Sequence, residues 1–590
     1  MISLLLALAT AAPQDTGYFQ QGVDYRIEAR LDDQAGVLHG RARLRYTNHS
    51  RTPLDSLYVH QHLNAFRPNS AWARRELTLG NRRFQDLGPA DHAYERFTRV
   101  QVDGRDVRPA YPGAPDSTVA VIPLAAPLRP GASVTVTMDW EARPSTLPRR
   151  QGRRGRHLDW AQWYPRIAVF DHTGWAVQPL LPQGEFYGEF AAYDVLLDVA
   201  ADQVIGATGV AVEGNPGWEV SDFERRYYPA RPFEPLGLLD AAAGAGRKRV
   251  RFRADSVHHF AWSADPRFVH EGVTRMSLHA DGTRRDLPPI HVLFWPEDRG
   301  SDWEGAAARR TYDALAWLQG IFGPYPWPQL TNLHRLESGG TEFPMLVMDG
   351  SASEGLIVHE VTHQYLHGIF ANNEWREGWM DEGFTSFIDA WYEEEKGTPD
   401  VWYQTMVGLE RLERTDSVQP IALPGADYVN PRIYSAMTYT KASAVFRMLR
   451  ELLGEDTFRR VLREFYARHR LKHVTGADFQ RVAEDVSGQE LDWFFGQWIE
   501  RTDKLDYAVA EARAERLSDG RWRTRVVVTR TGEAWMPVTL QVRDVRQTLT
   551  SRERRQVIDV ISAEWPDHVA LDPDWVLIDV NRANNHTGVQ

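Results

Sequence analysis

Two histidines and a glutamate stand close together in the segment HEVTH, residues 359–363. On a helix, His359 and His363 would lie one turn apart on the same face, so that both imidazoles can reach one metal ion. Apolar residues on either side of the segment favour such a helix. Glu360 stands beside the first ligand, where a carboxylate can act as the general base for a metal-activated water.

The five-residue pattern can arise by chance, so a third ligand at a suitable spacing is needed as further evidence for a metal site. The metzincin spacing would require a histidine ten residues after His359, and that position is Ile369. The gluzincin spacing instead requires a glutamate on a second helix, and Glu382 lies nineteen residues after His363 in the segment WMDEGFTSF. Two histidines and one carboxylate predict a single zinc ion with an open fourth position, as in catalytic zinc sites.

Other polar residues near this set are candidates for support. His367 lies four residues after His363, about 6 Å further along the helix axis, so we expect packing or outer support from it rather than ligation. Asp389 and Glu377 are both candidates to orient the ligating histidines, and the sequence leaves the choice between them open. The chain contains no cysteine, which excludes thiolate ligands and disulfides.

Three further segments can be compared with known motifs. They are GGTEFP at 339–344, YSAMTYTKASAVFRML at 434–449, and AQWYPRIAVFD at 161–171 followed by QGEFYGEF. Together with the metal set, they resemble motifs of the gluzincin zinc aminopeptidases, the family that includes aminopeptidase N and the leukotriene hydrolases. The resemblance extends over nearly the whole chain.

The resemblance implies a role for the GGTEFP segment. Glu342 takes the place of the family glutamate that binds the free α-amine of the substrate, with backbone contacts from Gly339 and Gly340. A carboxylate near the metal makes physical sense there, because it would hold a cationic N-terminus with the first peptide bond over the zinc.

The resemblance also implies roles for two residues in distant segments. Tyr439 takes the place of the family tyrosine whose hydroxyl donates to the oxyanion, and Tyr434 and Lys441 fit the same segment. Gln162 takes the place of a glutamine that reaches from the N-terminal domain into the amine pocket. An ordinary polar residue on a strand is the alternative interpretation of Gln162.

The sequence departs from the family motifs at four positions. Thr341 and Phe343 differ in the amine-binding segment, Asp381 stands before the ligating glutamate, and Ala442 replaces a glycine after Lys441. None of these is a predicted ligand or proton carrier. They leave the substrate preference and the strength of amine binding open.

The pattern along the 590 residues predicts several domains. Alternating runs such as LHGRARLRYTNHS and SVTVTMDWEA predict strands from about residue 18 to 265. Strands mix with helices at 353–368, 382–396, 440–453, 455–469 and 476–498, and strands return after 505. We therefore expect a multi-domain α+β fold. The resemblance implies an N-terminal saddle-like β domain (13–265), a thermolysin-like catalytic domain (266–504) and a C-terminal β-sandwich (505–590).

Charge and the first residues bear on partners and location. The net charge of −12 argues against nucleic acid as a partner, so we interpret the basic cluster RRQGRRGR at 149–156 as a solvated loop.

The apolar run at 1–12 fits a secretory signal, which predicts a secreted or periplasmic protein. If the run is not a signal, the protein is cytoplasmic. This run is too short to span a membrane, no other apolar run reaches spanning length, and the oligomeric state is open.

The favoured hypothesis is a zinc aminopeptidase that hydrolyses the first peptide bond of peptides with a free N-terminus. Glu360 would activate the water on zinc, Tyr439 and zinc would hold the oxyanion, and Glu342 would hold the amine. An endopeptidase or specialised hydrolase on the same scaffold is the second hypothesis. A non-catalytic binding protein is the third.

Overall fold

The computed structural model of the chain describes residues 17–184, 186–240, 242–273, 276–278 and 284–590. Within these ranges the molecule is a multi-domain α+β protein, as predicted. The predicted signal at 1–12 lies outside the described residues, and the domain boundaries stay a prediction. In the described part of the chain, no helix has the length and apolar character needed to cross a membrane.

The N-terminal part is built mainly from strands. They are β1 (Gly22–Asp32), β2 (Val37–Thr47), β3 (Leu54–His60), β4 (Tyr94–Val102), β5 (Arg105–Asp106), β6 (Val119–Leu128), β7 (Ser133–Arg143), β8 (Gly152–Arg154), β9 (His157–Trp160), β10 (Arg166–Ile167), β11 (Phe170–Asp171), β12 (Gly174–Trp175), β13 (Ala191–Ala200), β14 (Val204–Ala207), β15 (Val210–Glu213), β16 (Arg247–Val257) and β17 (Trp262–Asp265). Two short helices accompany them, α1 (Ala71–Thr78) and α2 (Asp222–Tyr227).

An eight-stranded sheet in the order β15-β16-β13-β1-β2-β7-β4-β5 forms the largest layer. Strand β2 shows the alternation of the sequence: its even-numbered residues from Leu38 to Tyr46 are all buried, and the odd-numbered residues between them are more exposed. This period of two places one face of the sheet on the core. Other strands of the N-terminal part form the smaller sheets β10-β3-β6 and β14-β17-β9-β8.

Part of the basic cluster at 149–156 forms strand β8, and two of its arginines are paired with acidic residues, so its interpretation as a solvated loop is wrong. Arg149 Nη1 donates to Glu337 at 3.0 Å, and the backbone N–H of Arg150 donates to the same carboxylate at 2.5 Å. Arg156 pairs with Asp33 and with a second aspartate. Acidic partners from distant segments offset the charges of Arg149 and Arg156, and the local sequence alone could not identify these partners.

The middle part combines a mixed sheet with most of the helices. Its strands are β18 (Val269–Val273), β19 (Met276–Leu278), β20 (Arg284–Asp286), β21 (Ile290–Phe294), β22 (Leu330–His334), β23 (Glu342–Phe343), β24 (Leu346–Asp349), β25 (Phe370–Asn372) and β26 (Lys472–Val474). Its helices are α3 (Ala306–Ile321), α4 (Glu354–His363), α5 (Glu374–Glu377), α6 (Glu382–Glu395), α7 (Tyr403–Glu413), α8 (Pro431–Ser435), α9 (Ala442–Leu453), α10 (Glu455–His469), α11 (Gly476–Ser487) and α12 (Asp492–Phe495).

Two predicted helices differ from the structure in an informative way. The segment predicted as one helix at 476–498 divides into α11 and α12, because Gly488 ends α11 in the left-handed conformation with φ of 69°. The helix predicted at 353–368 begins as α4 and continues as a π-helix over Gln364–Ile369. Such π-helical turns are frequent at functional sites.

The C-terminal part contains two sheets, β27-β28-β31 and β30-β29-β32-β33. The strands are β27 (Tyr507–Arg516), β28 (Trp522–Arg530), β29 (Val538–Val542), β30 (Val545–Leu549), β31 (Arg555–Ser562), β32 (His568–Leu571) and β33 (His586–Gly588). This part contacts the helices through Arg447, which donates to the carbonyl of Trp575 at 2.7 Å. Arg414 likewise donates to the carbonyl of Val580 at 2.7 Å.

A buried histidine connects the N-terminal strands to the middle part. His157 lies 3.0 Å from Asp159 and 3.1 Å from Asp265. Asp159 accepts from the backbone of Leu336 at 3.0 Å, and Asp265 accepts from Trp295 at 2.9 Å. Burial alone would lower the pKa of His157, but the two aspartates raise it to about 9.

This arrangement predicts a pH-dependent contribution to stability. A pKa raised in the folded state stabilises the fold fully below the ordinary histidine pKa of 6.5, and the contribution is lost as pH rises through about 9. His157→Gln should lower the free energy of unfolding by about 3 kcal/mol at pH 6, with a smaller difference at pH 10. Urea unfolding at the two pH values measures both. The exposed His39, changed to Gln, is the control, and an equal loss for His157→Gln at both pH values would contradict this role.

Candidate active site

The predicted metal ligands come together where α4 and α6 pack. The Nε2 atoms of His359 and His363 lie 3.2 Å apart on α4. Glu382 is the first residue of α6, and its Oε2 lies 3.4 Å from His359 Nε2 and 3.3 Å from His363 Nε2. The three residues form one of the groups in the described part of the chain whose ligand atoms all lie within 4.8 Å of one another.

Two aspartates hold the imidazoles in place. His359 Nδ1 donates to Asp389 at 2.7 Å, and His363 Nδ1 donates to Asp381 at 2.5 Å. Of the two residues considered from sequence, Asp389 therefore contacts a ligand. Glu377 accepts from the backbone of Gly476 at 3.0 Å instead. Asp381, which the sequence marked only as a difference from the family motif, directly precedes Glu382. Its position next to a predicted ligand is the feature that could have identified it.

The donor set fits a zinc ion. Since both Nδ1 atoms donate their protons to aspartates, His359 and His363 present bare lone pairs on Nε2 that face each other. Facing lone pairs repel unless a cation lies between them. Burial alone would raise the pKa of Glu382, but His363 and His359 hold it below its ordinary value. Imidazole nitrogen and carboxylate oxygen are ligands of catalytic zinc sites.

Glu360 projects from the same helix into a buried environment. It is only 4% exposed, and within the described residues its Oε2 has no hydrogen-bond partner. Burial is the main cause that raises its pKa to about 7, close to the value a general base needs at neutral pH. Gly340 packs against this carboxylate: a Cβ at Gly340 would lie 2.0 Å from Glu360 Oε1. The missing side chain at position 340 thus makes room for Glu360.

Glu342 lies in the edge strand β23, within electrostatic reach of the metal set. Its side chain is buried, and its Oε1 has no hydrogen-bond partner in the described ranges. Burial raises its pKa, and His363 and Glu382 are among the charges that act on it. Gly339, with φ of 74°, forms the turn before this strand. A buried, unpartnered carboxylate oxygen beside a metal site is suited to a cationic group.

Tyr439 reaches the metal set from a π-helix at Ala436–Lys441. Its hydroxyl donates a short hydrogen bond to Glu382 Oε1. Tyr434 packs beside it, with ring centroids 6.3 Å apart. Lys441 points elsewhere and forms a buried ion pair with Glu413 at 2.9 Å. Of the three residues that fit the family segment, Tyr439 is thus the one that contacts a predicted ligand.

Two other residues singled out in the sequence lie outside this contact network. Gln162 is buried in the left-handed region with φ of 57°, and among the described residues its amide nitrogen has no hydrogen-bond partner. It makes no described hydrogen bond to Glu342. His367 lies 2.6 Å from Glu374 and does not belong to the group formed by His359, His363 and Glu382.

The contact between Asp381 and His363 predicts a difference between two nearby carboxylates. Asp381→Ala should weaken zinc binding roughly 10- to 100-fold, because the His363 ring loses the partner that fixes its orientation. Glu377→Ala should leave zinc affinity unchanged, since Glu377 contacts neither histidine. Competition with a fluorescent chelator measures both variants. Equal affinities for Asp381→Ala and the unmodified protein would contradict this role.

Comparisons with known proteins agree with the site. A 251-residue segment is 26% identical to aminopeptidase 2, mitochondrial, of Saccharomyces cerevisiae, covering 38% of this chain and 26% of the relative. Another, of 156 residues, is 25% identical to aminopeptidase N of Lactococcus lactis, covering 25% of this chain and 18% of the relative. The matches therefore span about a quarter or less of these relatives.

Solved structures share the fold over most of the chain. An M1 zinc metallopeptidase of Deinococcus radiodurans superposes with a TM-score of 0.54 at 14% identity, covering 81% of this chain and 93% of that one. Aminopeptidase A of Legionella pneumophila gives 0.62 at 14% identity, covering 96% and 60%. The model of the peptidase family M1 domain matches residues 347–498. This segment contains the whole predicted metal set, and the chain therefore carries a peptidase family M1 domain.

Proposed function

We propose that the protein is a zinc-dependent aminopeptidase that hydrolyses the N-terminal peptide bond of peptides. His359, His363 and Glu382 would hold the zinc, which as a Lewis acid polarises the scissile carbonyl and acidifies water. The observation that carries the proposal is the pair of buried carboxylates beside this set, Glu360 and Glu342, each with an oxygen that has no described hydrogen-bond partner. The free oxygen of Glu360 suits a water molecule, and that of Glu342 suits a substrate amine.

The remaining chemistry falls to the side chains of the chain itself. Glu360 takes a proton from the attacking water and returns it to the leaving amine. The Tyr439 hydroxyl, which donates to Glu382 in this structure, turns to donate to the oxyanion that develops on the substrate. Glu342 holds the α-amine, which places the first peptide bond at the metal. Gly340 leaves space for the Glu360 carboxylate.

Replacement of the general base should abolish turnover without loss of metal. We expect Glu360→Gln to lower kcat on an aminoacyl-amide reporter by about 10²- to 10⁴-fold, since the water loses its proton acceptor. Zinc content, measured in parallel, should stay at the level of the unmodified protein. Glu354→Gln is the matched control, because Glu354 begins the same helix and pairs with Lys396 on the surface. Undiminished turnover in Glu360→Gln would refute the mechanism.

The amine-binding role of Glu342 separates an aminopeptidase from an endopeptidase. Glu342→Gln should lower kcat/KM for a free-amine reporter roughly 10- to 100-fold, because a charge-assisted hydrogen bond is lost. The unmodified protein should cleave a reporter with an acetylated amine only poorly. Glu342→Gln should not lower the rate on this acetylated reporter any further. If acetylated and free reporters are cleaved equally well, the protein is an endopeptidase or another hydrolase on this scaffold.

Export of the protein is a separate proposal, and it rests on the apolar run at residues 1–12 alone. The three-part division at about 265 and 504 is likewise proposed from the change in sequence pattern. Mass spectrometry of protein recovered outside expressing bacteria tests export. A mass that retains the first twelve residues would contradict cleavage of a signal.

A further inference from the structure

The turn that precedes Glu342 is held by a buried arginine. Arg335 follows strand β22, and its side chain is only 2% exposed. Its Nη2 donates to the carbonyl oxygen of Ser338 at 3.0 Å, and its Nε donates to that of Glu337 at 3.2 Å. Its Nη1 forms a short hydrogen bond to the hydroxyl of Thr341. One planar guanidinium thus spans the turn from position 337 to position 341.

The hydroxyl of Thr341 joins this arginine to the backbone of the turn. It accepts from Arg335 and donates to the carbonyl oxygen of Gly340 at 2.7 Å. Thr341 is fully buried, and its backbone pairs in both directions with that of Met348 in β24, each time at 3.0 Å. Position 341 is also one of the departures from the family motif. A hydrocarbon side chain there could not accept from Arg335 and would leave a buried donor without this partner.

The N-terminal part of the chain is tied to the same turn through Glu337. The Glu337 carboxylate lies 3.8 Å from Arg335, and it accepts from Arg149 Nη1 at 3.0 Å and from the backbone N–H of Arg150 at 2.5 Å. Burial alone would raise the pKa of Glu337, but Arg335, Arg149 and the Arg150 backbone hold it below its ordinary value. The first residues of the basic cluster at 149–156 therefore contact the turn before Glu342.

The turn leads directly into residues that serve the proposed reaction. Gly340 precedes Thr341 and leaves the space that the Glu360 carboxylate occupies. Glu342 follows Thr341 and pairs with Val347 of β24. A shift of Thr341 therefore moves its neighbours on both sides. Such a shift matters for catalysis, because a misplacement of about 1 Å can cost roughly 100-fold in rate.

We propose that Arg335 and Thr341 are positioning residues that hold the Glu342 carboxylate where the α-amine of the substrate binds. This inference rests on the proposed function and adds two residues that are neither predicted ligands nor proton carriers. Arg335 fixes the turn, and Thr341 transmits this constraint to the peptides on either side of it. The competing interpretation is a network that stabilises the fold and has no effect on amine binding.

Steady-state kinetics with a free-amine and an acetylated aminoacyl reporter distinguish the two interpretations. Thr341→Val keeps the shape of the side chain and removes the hydroxyl. We expect it to raise KM for the free-amine reporter roughly 10-fold with a smaller change in kcat, because Glu342 shifts away from the amine. Thr341→Ser keeps the hydroxyl and should avoid most of this loss. Arg335→Lys should resemble Thr341→Val, since one ammonium cannot span the acceptors that the guanidinium reaches.

The matched control is Thr311→Val in α3. Thr311 is also buried, and its hydroxyl likewise donates to a backbone carbonyl, that of Ala307 at 2.9 Å, and accepts from a side chain, Asn332 at 3.2 Å. Its replacement should lower stability without changing the ratio of kcat/KM between the two reporters. The same ratio in Thr341→Val as in Thr311→Val would overturn the positioning role. If Thr341→Val does not fold by circular dichroism, Arg335→Lys carries the same comparison.

Amide hydrogen exchange gives a second measurement that does not depend on turnover. In Thr341→Val, the backbone amides at 337–343 should exchange faster than in the unmodified protein, while those of α3 keep their rates. If the unmodified protein prefers the free amine but Thr341→Val changes neither KM nor exchange at the turn, this inference fails alone. If the unmodified protein cleaves both reporters equally well, the proposed function fails and the amine-positioning role fails with it.

Discussion

The candidate active site depends on one electrostatic constraint: buried imidazoles and carboxylates lie close enough together to favour a positive charge between them. His359 and His363 have their ring protons directed to aspartates, so their lone pairs converge on each other and on Glu382. Without a positive charge between them, the imidazole lone pairs and the Glu382 carboxylate would repel one another. The packing of α4 on α6 positions the predicted ligands, and a metal ion bound there would stabilise the folded state.

Two irregular helical segments carry residues of the site or adjoin them. The helix that carries the two histidines continues as a π-helix, and Tyr439 lies in another π-helix at Ala436–Lys441. Gly340, which precedes strand β23, leaves room for Glu360, because a Cβ at position 340 would lie 2.0 Å from Glu360 Oε1.

Sequence predicted the parts of the site that depend on local spacing. His359 and His363 lie one turn apart in any helix, so their convergence follows from their separation alone. Asp381, the partner of His363, was missed, because its position next to Glu382 becomes informative only once α6 is placed against α4. The pairing of Arg149 with Glu337 and the contact of His258 with His367 join distant segments. No period or motif in the sequence carries such information.

The proposed function is a zinc-dependent cleavage at a free N-terminus, served by the buried carboxylates. A mass-spectrometric time course on an unblocked peptide, with zinc-loaded and with chelator-treated protein, tests this function. We expect stepwise loss of single residues from the N-terminus with zinc, no products after chelation, and recovery when zinc is added back. Internal fragments, or the same products from the metal-free protein, would contradict it.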